Sequence, residues 1–192
     1  MNITLIRHGQ PEITVLHSAK RIKASAMQAW IAGYDASDIV GAPTAEIISM
    51  AGQSDYCVCS PLRRAHASLL ATGYTPDEII HKLHEVPLAV VNVPFLRLRP
   101  QTWLIVFRLC WMLGFITGSE SRSAARIRAG EAAEYLIKHA EVHGSVFSMG
   151  HGFMNRLLAR ELEKRGWKRA DNKGHRYWSG VKYRHPLPQT PR

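Results

Sequence analysis

Short apolar runs alternate with longer helix-patterned segments along this chain, and that alternation restricts its fold more than any other feature. Residues 2–6 (NITLI), 55–59 (DYCVC) and 145–149 (SVFSM) have the length and apolar content of buried strands, and each gives way to a turn marked by Gly, Ser or Pro. Residues 61–72 predict a helix that Pro61 can open and Gly73 can close. Residues 120–142 place Ala125, Ala129, Ala132, Leu136, Ile137 and Ala140 on one side of a helix, and residues 153–165 turn Leu157, Leu158 and Leu162 inward before Gly166. Residues 17–32 predict a further helix with a stripe of Ile22, Met27, Trp30 and Ile31, residues 44–51 a shorter one, and residues 78–84 and 176–184 a strand and an edge strand. Strands alternating with helices imply an α/β fold: a three-layer α/β/α sandwich with a mostly parallel central sheet. A chain of 192 residues suits one such domain. Its expected extent is residues 1–184, with a small helical cap inserted at roughly 86–118 and a flexible basic tail at 185–192.

The cap region holds the one segment that fits no simple pattern. Residues 103–116 are apolar almost all round, interrupted by Arg108. At about 14 residues the segment is too short to span a bilayer, so no transmembrane segment is expected. A buried cap helix is the first reading; a face for a homodimer, or an interfacial membrane contact, are the alternatives. Cys57 and Cys59 share one face of their strand and read as small core residues, and three cysteines without framework spacing imply no disulfide scaffold. The N-terminus has no charged leader before an apolar run, so a cytoplasmic protein is expected.

A formal charge of +10 favours anionic partners: phosphorylated compounds, nucleic acid or acidic membrane. No motif of interleaved aromatic and basic residues points to a specific nucleic-acid partner. His81, His84, His139 and His143 lack metal-ligand spacing, so neither a metal nor a cofactor is expected.

In a parallel sheet, residues that follow the carboxyl ends of different strands meet at one edge. Arg7 and His8 follow the first strand, Ser60 to Arg64 the second, and His151 a late one. Together they can handle a phosphoryl group. Arg7 and Arg64 can grip its oxygens with two guanidinium forks, and His151 can add a donor. His8 can attack phosphorus if its imidazole is neutral, a state that adjacent guanidiniums favour. Gly9, Gly150 and Gly152 allow close approach without a Cβ. Gln10, Arg97, Arg99 and Asn155 are further candidates for substrate contacts.

Arg7-His8-Gly9 after the first strand, Ser60-Pro61-Leu62-Arg63-Arg64-Ala65 after the second and Met149-Gly150-His151-Gly152 after the late one resemble the histidine phosphatase superfamily, with its phosphoglycerate-mutase-like fold. The resemblance spans residues 2 to about 166. It implies a phosphatase that hydrolyses a small-molecule or protein phosphomonoester through a phosphohistidine on His8. It assigns the pocket arginine to Arg64, leaving Arg63 at a variable place, and the second histidine to His151. Leu83-His84-Glu85 resembles the family's Leu-x-Glu proton donor and gives that role to Glu85, although the following VPLAVVNVP departs from the usual Gly- and aromatic-rich turn. The same resemblance leaves open a phosphoglycerate-mutase-type phosphotransferase, a phosphatase of phosphohistidine proteins, and a non-catalytic binder of a phosphorylated ligand.

Overall fold

The computed structural model describes residues 1–174 and 176–185. Among the described residues, ten strands occur in this order: β1 (Asn2–Arg7), β2 (Gln10–Pro11), β3 (Ile22–Lys23), β4 (Ile39–Val40), β5 (Tyr56–Cys59), β6 (Glu78–Ile79), β7 (Arg97–Leu98), β8 (Ser145–Gly150), β9 (Lys168–Asn172) and β10 (Gly180–Arg184). Seven α-helices connect them: α1 (Glu12–Leu16), α2 (Met27–Ala36), α3 (Ala45–Gly52), α4 (Arg63–Ala71), α5 (Pro100–Leu113), α6 (Arg122–His143) and α7 (Gly152–Lys164).

Six strands build the central sheet in the order β6-β5-β8-β1-β10-β9. The first four run parallel, and β10 runs against both of its neighbours. Side chains of a strand alternate between faces, and here that alternation divides the core in two. Ile3, Leu5, Val58 and Val146 point into the layer of α6 and α7. Ile6, Cys57, Cys59, Phe147 and Met149 point into the layer of α3 and α4. Cys57 and Cys59 are thus core residues, and burial pushes their thiols up to about 11 and about 12. Alanines on α6 let that helix lie close against its neighbours: Ala125, Ala129, Ala132, Ala133 and Ala140 are fully buried. The outcome is the expected three-layer α/β/α sandwich with a mostly parallel sheet.

A third cluster joins part of residues 86–118 to the segment before β4: Met27 and Trp30 of α2 and Ala24 pack on Trp103 and Phe107 of α5. This packing overrides the helix expected over residues 17–32. Ile22–Lys23 pairs with Arg97–Leu98 as a short antiparallel ladder, the Ile22 carbonyl accepts from Trp103 Nε1 at 2.9 Å, and α2 starts only at Met27. Ile22 therefore serves a strand, because a distant partner gains more from its backbone than the helix would. Two other expectations also shift. The third strand is short (Glu78–Ile79) and passes into a 3-10 turn at His81–Leu83. The strand expected at 176–184 is β10, which is internal because β9 covers its far side. Of the tail expected at 185–192, all but His185 lies outside the described residues.

Helix α5 buries Trp103, Phe107 and Trp111, yet leaves Ile105, Leu109 and Leu113 exposed. The buried-helix reading therefore holds for one face only. Among the described residues, no helix is long and apolar enough to cross a membrane.

Candidate active site

The sheet register brings the sequence motifs together. Arg7 pairs with Gly150 and Cys59 with Met149, so the residues that follow these strands emerge side by side. The ladder continues one step further, with His8 N donating to the Gly150 carbonyl and Ser60 N to the Met149 carbonyl, both at 3.0 Å. His8 and His151 end up with ring centroids 5.0 Å apart. Both side chains are almost fully buried, as is Arg64 at 2% exposure.

The Gly9 carbonyl fixes the state of His8. It lies 2.6 Å from Nδ1 and can only accept, so the proton sits on Nδ1 and Nε2 keeps its lone pair. Arg64 Nε donates to that Nε2 at 3.2 Å. Burial, then the charges of Arg64 and Arg7, hold the imidazole of His8 well below the ordinary histidine value, against a smaller pull from the Gly9 carbonyl. His151 is lowered likewise, by burial first and then by His8, Arg64, Arg7 and His84. Its Nε2 lies 2.7 Å from Ser60 Oγ, and its buried Nδ1 has no hydrogen-bond partner among the described residues. The site therefore holds two neutral imidazoles beside two permanent cations, a field suited to a dianionic phosphoryl group.

The two neighbouring arginines at the start of α4 diverge. Arg64 turns inward, where its Nη1 meets Asp35 at 2.7 Å and its guanidinium lies over the Tyr34 ring at 4.6 Å. Arg63 turns outward into an exposed ion pair with Asp38. Arg7 lies 4.0 Å from the centre of the Tyr177 ring, and its side chain fills the space that a Cβ on Gly152 would take: that Cβ would stand 3.2 Å from Arg7 Nε. At Gly9 the close neighbour is the Trp178 indole, 2.5 Å from where a Cβ would stand. These two glycines make room for protein side chains that shape the pocket.

Glu85 sits at the first turn of α7, directly after His151. Its Oε1 accepts from the backbone N–H groups of Val86 (3.0 Å) and Met154 (2.9 Å), and Oε2 accepts from Phe153 N at 3.1 Å. It thus caps the helix as well as standing near the site. A carboxyl group offers about four lone-pair positions, and Oε2 keeps one that can carry a proton. Glu120, the other carboxylate in this region, is gripped by Arg128 through two bonds of 2.7 Å, which hold it below the usual carboxylate range.

The remaining candidates lie further out. Asn155 is buried and donates to the Ile6 carbonyl at 3.1 Å, which ties α7 to β1. Gln10 donates to Thr14 Oγ1 at 3.1 Å. Arg97 and Arg99 are exposed on β7 and at the start of α5, with no hydrogen bond, ion pair or ring contact to the His8 cluster. Sequence reasoning missed Tyr34 and Tyr177. Their rings stand 6.5 and 5.6 Å from that of His8, so both flank the site. Burial, then Tyr177, pushes the Tyr34 phenol up from its ordinary value. Among the described residues, no cluster of His, Cys, Asp and Glu could hold a metal ion.

No family model matches the sequence, and none of the curated proteins is significantly similar to it. Solved structures are similar in fold. A phosphoserine phosphatase from Entamoeba histolytica is 18% identical, with a TM-score of 0.55 over 85% of this chain and 80% of that one. A mycobacterial glucosyl-3-phosphoglycerate phosphatase, solved with vanadate, is 17% identical, with a TM-score of 0.52 over 85% and 82%. A protein described as mycobacterial hydrolase 1 is 17% identical, with a TM-score of 0.55 over 97% of both chains. By its sheet order and these neighbours, the chain has a phosphoglycerate-mutase-like fold.

Proposed function

We propose that this chain is a phosphatase that hydrolyses a phosphomonoester through a phosphohistidine on His8. The observation that carries this reading is the Gly9 carbonyl on His8 Nδ1, which leaves Nε2 unprotonated between Arg64 and His151. Nε2 attacks phosphorus and forms the P–N bond as the ester P–O bond breaks. The departing alkoxide takes a proton from Glu85. Water then attacks the phosphohistidine, gives a proton to the Glu85 carboxylate, and releases inorganic phosphate as the P–N bond breaks. Arg7, Arg64 and His151 hold the non-bridging oxygens, whose charge they balance most closely in the five-coordinate state.

The phosphatase names of the structural neighbours support the reaction class. The reaction draws on no metal or cofactor, because its nucleophile, its cations and its acid all come from the chain. Tyr34 and Tyr177 stand beside a buried His8, which favours a small phosphomonoester or an extended phosphorylated side chain over a folded protein surface. A screen of phosphorylated metabolites, sugar phosphates and phosphopeptides identifies it. Enzyme quenched during turnover of a hit should carry an acid-labile, base-stable phosphate on His8. Undiminished turnover by His8→Ala would refute the proposal.

A further inference from the structure

The cap carries an outer surface that the phosphatase reading does not use. On α5, Ile105 (61% exposed), Leu109 and Leu113 (66% exposed) follow one another at helical spacing on the side away from Trp103 and Phe107. A helix lying on a protein core in water normally shows polar residues there. Just before this helix, Val93-Pro94-Phe95-Leu96 forms a loop whose tip is Phe95. That ring is 97% exposed, on a backbone at φ 68. A non-glycine residue in the left-handed region costs conformational energy, and here it displays an aromatic ring to solvent.

The charge of the segments that carry these apolar groups is largely of one sign. Between Glu12 and Asp35, and again between Glu85 and Glu120, the chain has Lys20, Arg21, Lys23, Arg97, Arg99 and Arg108 and no Asp or Glu, with Arg108 turned inward onto the Val86 carbonyl. Register places Lys23 directly opposite Arg97 in the β3–β7 ladder. Like charges so placed repel. Among the described residues, Lys20, Arg21, Lys23, Arg97 and Arg99 take part in no ion pair.

We infer that this face of the cap docks on an anionic lipid surface, with Phe95 and the outer stripe of α5 entering the headgroup boundary while Lys23, Arg97 and their neighbours meet lipid phosphates. A lipid surface accepts both halves of the pattern at once. A second copy of the chain would bring two arrays of positive charge together, and nucleic acid would leave the aliphatic stripe without a partner.

The test is co-sedimentation of the whole protein with vesicles of phosphatidylcholine, and with vesicles that also contain phosphatidylglycerol, at low and high salt. The native chain should bind the anionic vesicles, lose about tenfold or more of that binding at high salt, and bind neutral vesicles weakly. Lys23→Glu, and separately Phe95→Asp combined with Leu109→Asp, should each reduce binding to anionic vesicles about tenfold or more. Turnover of p-nitrophenyl phosphate without vesicles should be unchanged in these variants, which shows that the fold is intact. Equal binding to neutral and anionic vesicles, no binding to either, or no effect of Lys23→Glu would overturn the inference. So would a native dimer that the Phe95→Asp and Leu109→Asp variant dissociates, or binding to duplex DNA in preference to vesicles.

Discussion

Arg64 Nε donates to His8 Nε2 at 3.2 Å, on the ring nitrogen that the Gly9 carbonyl leaves without a proton. The guanidinium thus does two things at once. It disfavours a proton on His8, and in the proposed mechanism it meets a phosphoryl oxygen. The adjacent Arg63 does neither, since it pairs with Asp38 at the surface. Arg64→Ala should lower kcat/KM on the order of 10²-fold or more, the usual cost of removing a preorganised donor. Arg63→Ala should change it by less than about threefold, in keeping with an exposed ion pair. Steady-state kinetics on both variants, with melting curves to confirm folding, decides the matter.

Both buried histidines should make the fold sensitive to acid. Each has a folded-state value well below the ordinary 6.5 that it regains on unfolding. Below that value the unfolded chain binds protons that the folded chain refuses, so stability is fully present above pH 6.5 and falls as the pH drops from there towards the folded values. The slope should reach up to about 1.4 kcal/mol per pH unit for each histidine. Urea melts between neutral and mildly acid pH should show this loss, and His8→Asn should flatten it. Activity should tell a matching story. The acid limb of kcat/KM, where His8 becomes protonated, should lie clearly below the ordinary histidine value.

Glu85 has two duties that one substitution can separate. Its carboxylate caps the first turn of α7 through Phe153 N and Met154 N. Glu85→Gln keeps one acceptor oxygen and removes the charge, so it should cost about 0.5–1 kcal/mol of stability through the cap and the helix dipole. The kinetic effect is distinct. An alkyl phosphate needs a proton on its leaving oxygen, while p-nitrophenyl phosphate hardly does. Phosphorylation of His8 in a single turnover should slow on the order of 10²-fold or more for the first and by much less for the second. Equal slowing of both would assign the acid to another group.

The Tyr177 ring covers Arg7 at 4.0 Å and faces His8 at 5.6 Å. Tyr177→Ala should open the site. Labelling of His8 by diethyl pyrocarbonate, followed by peptide mass mapping, should speed up several-fold relative to the native chain. Inorganic phosphate should protect both.

Parts of this site that depend on strand ends were readable in one dimension. Arg7-His8, Ser60 and His151 each follow a strand with a clear apolar pattern, and parallel pairing then puts them at one edge whatever happens in between. Arg64 followed from its place in the Ser60–Ala65 motif. Tyr34 and Tyr177 were not readable, because each belongs to a segment with no distinctive local pattern and they meet only through the fold. Ile22 was misjudged for the same reason: its spacing to Met27 and Trp30 suits a helix, but its partner is Leu98 in a distant segment. The same holds for the capping duty of Glu85, since its partners lie on α7, far along the chain.

The place of β10 has a consequence for the birth of the protein. β1 is made well before one of its two neighbours in the sheet, which begins at Gly180, and Asn2 pairs with Arg184. The Tyr177 that flanks His8 lies just ahead of that strand. A nascent chain therefore holds its proposed nucleophile on a strand with one open edge, exposed to misplaced pairing, until nearly all of the described residues have been synthesised. Catalytic competence should thus appear late and abruptly during translation, and chains stalled before Gly180 should be clients for chaperones rather than partly active enzymes.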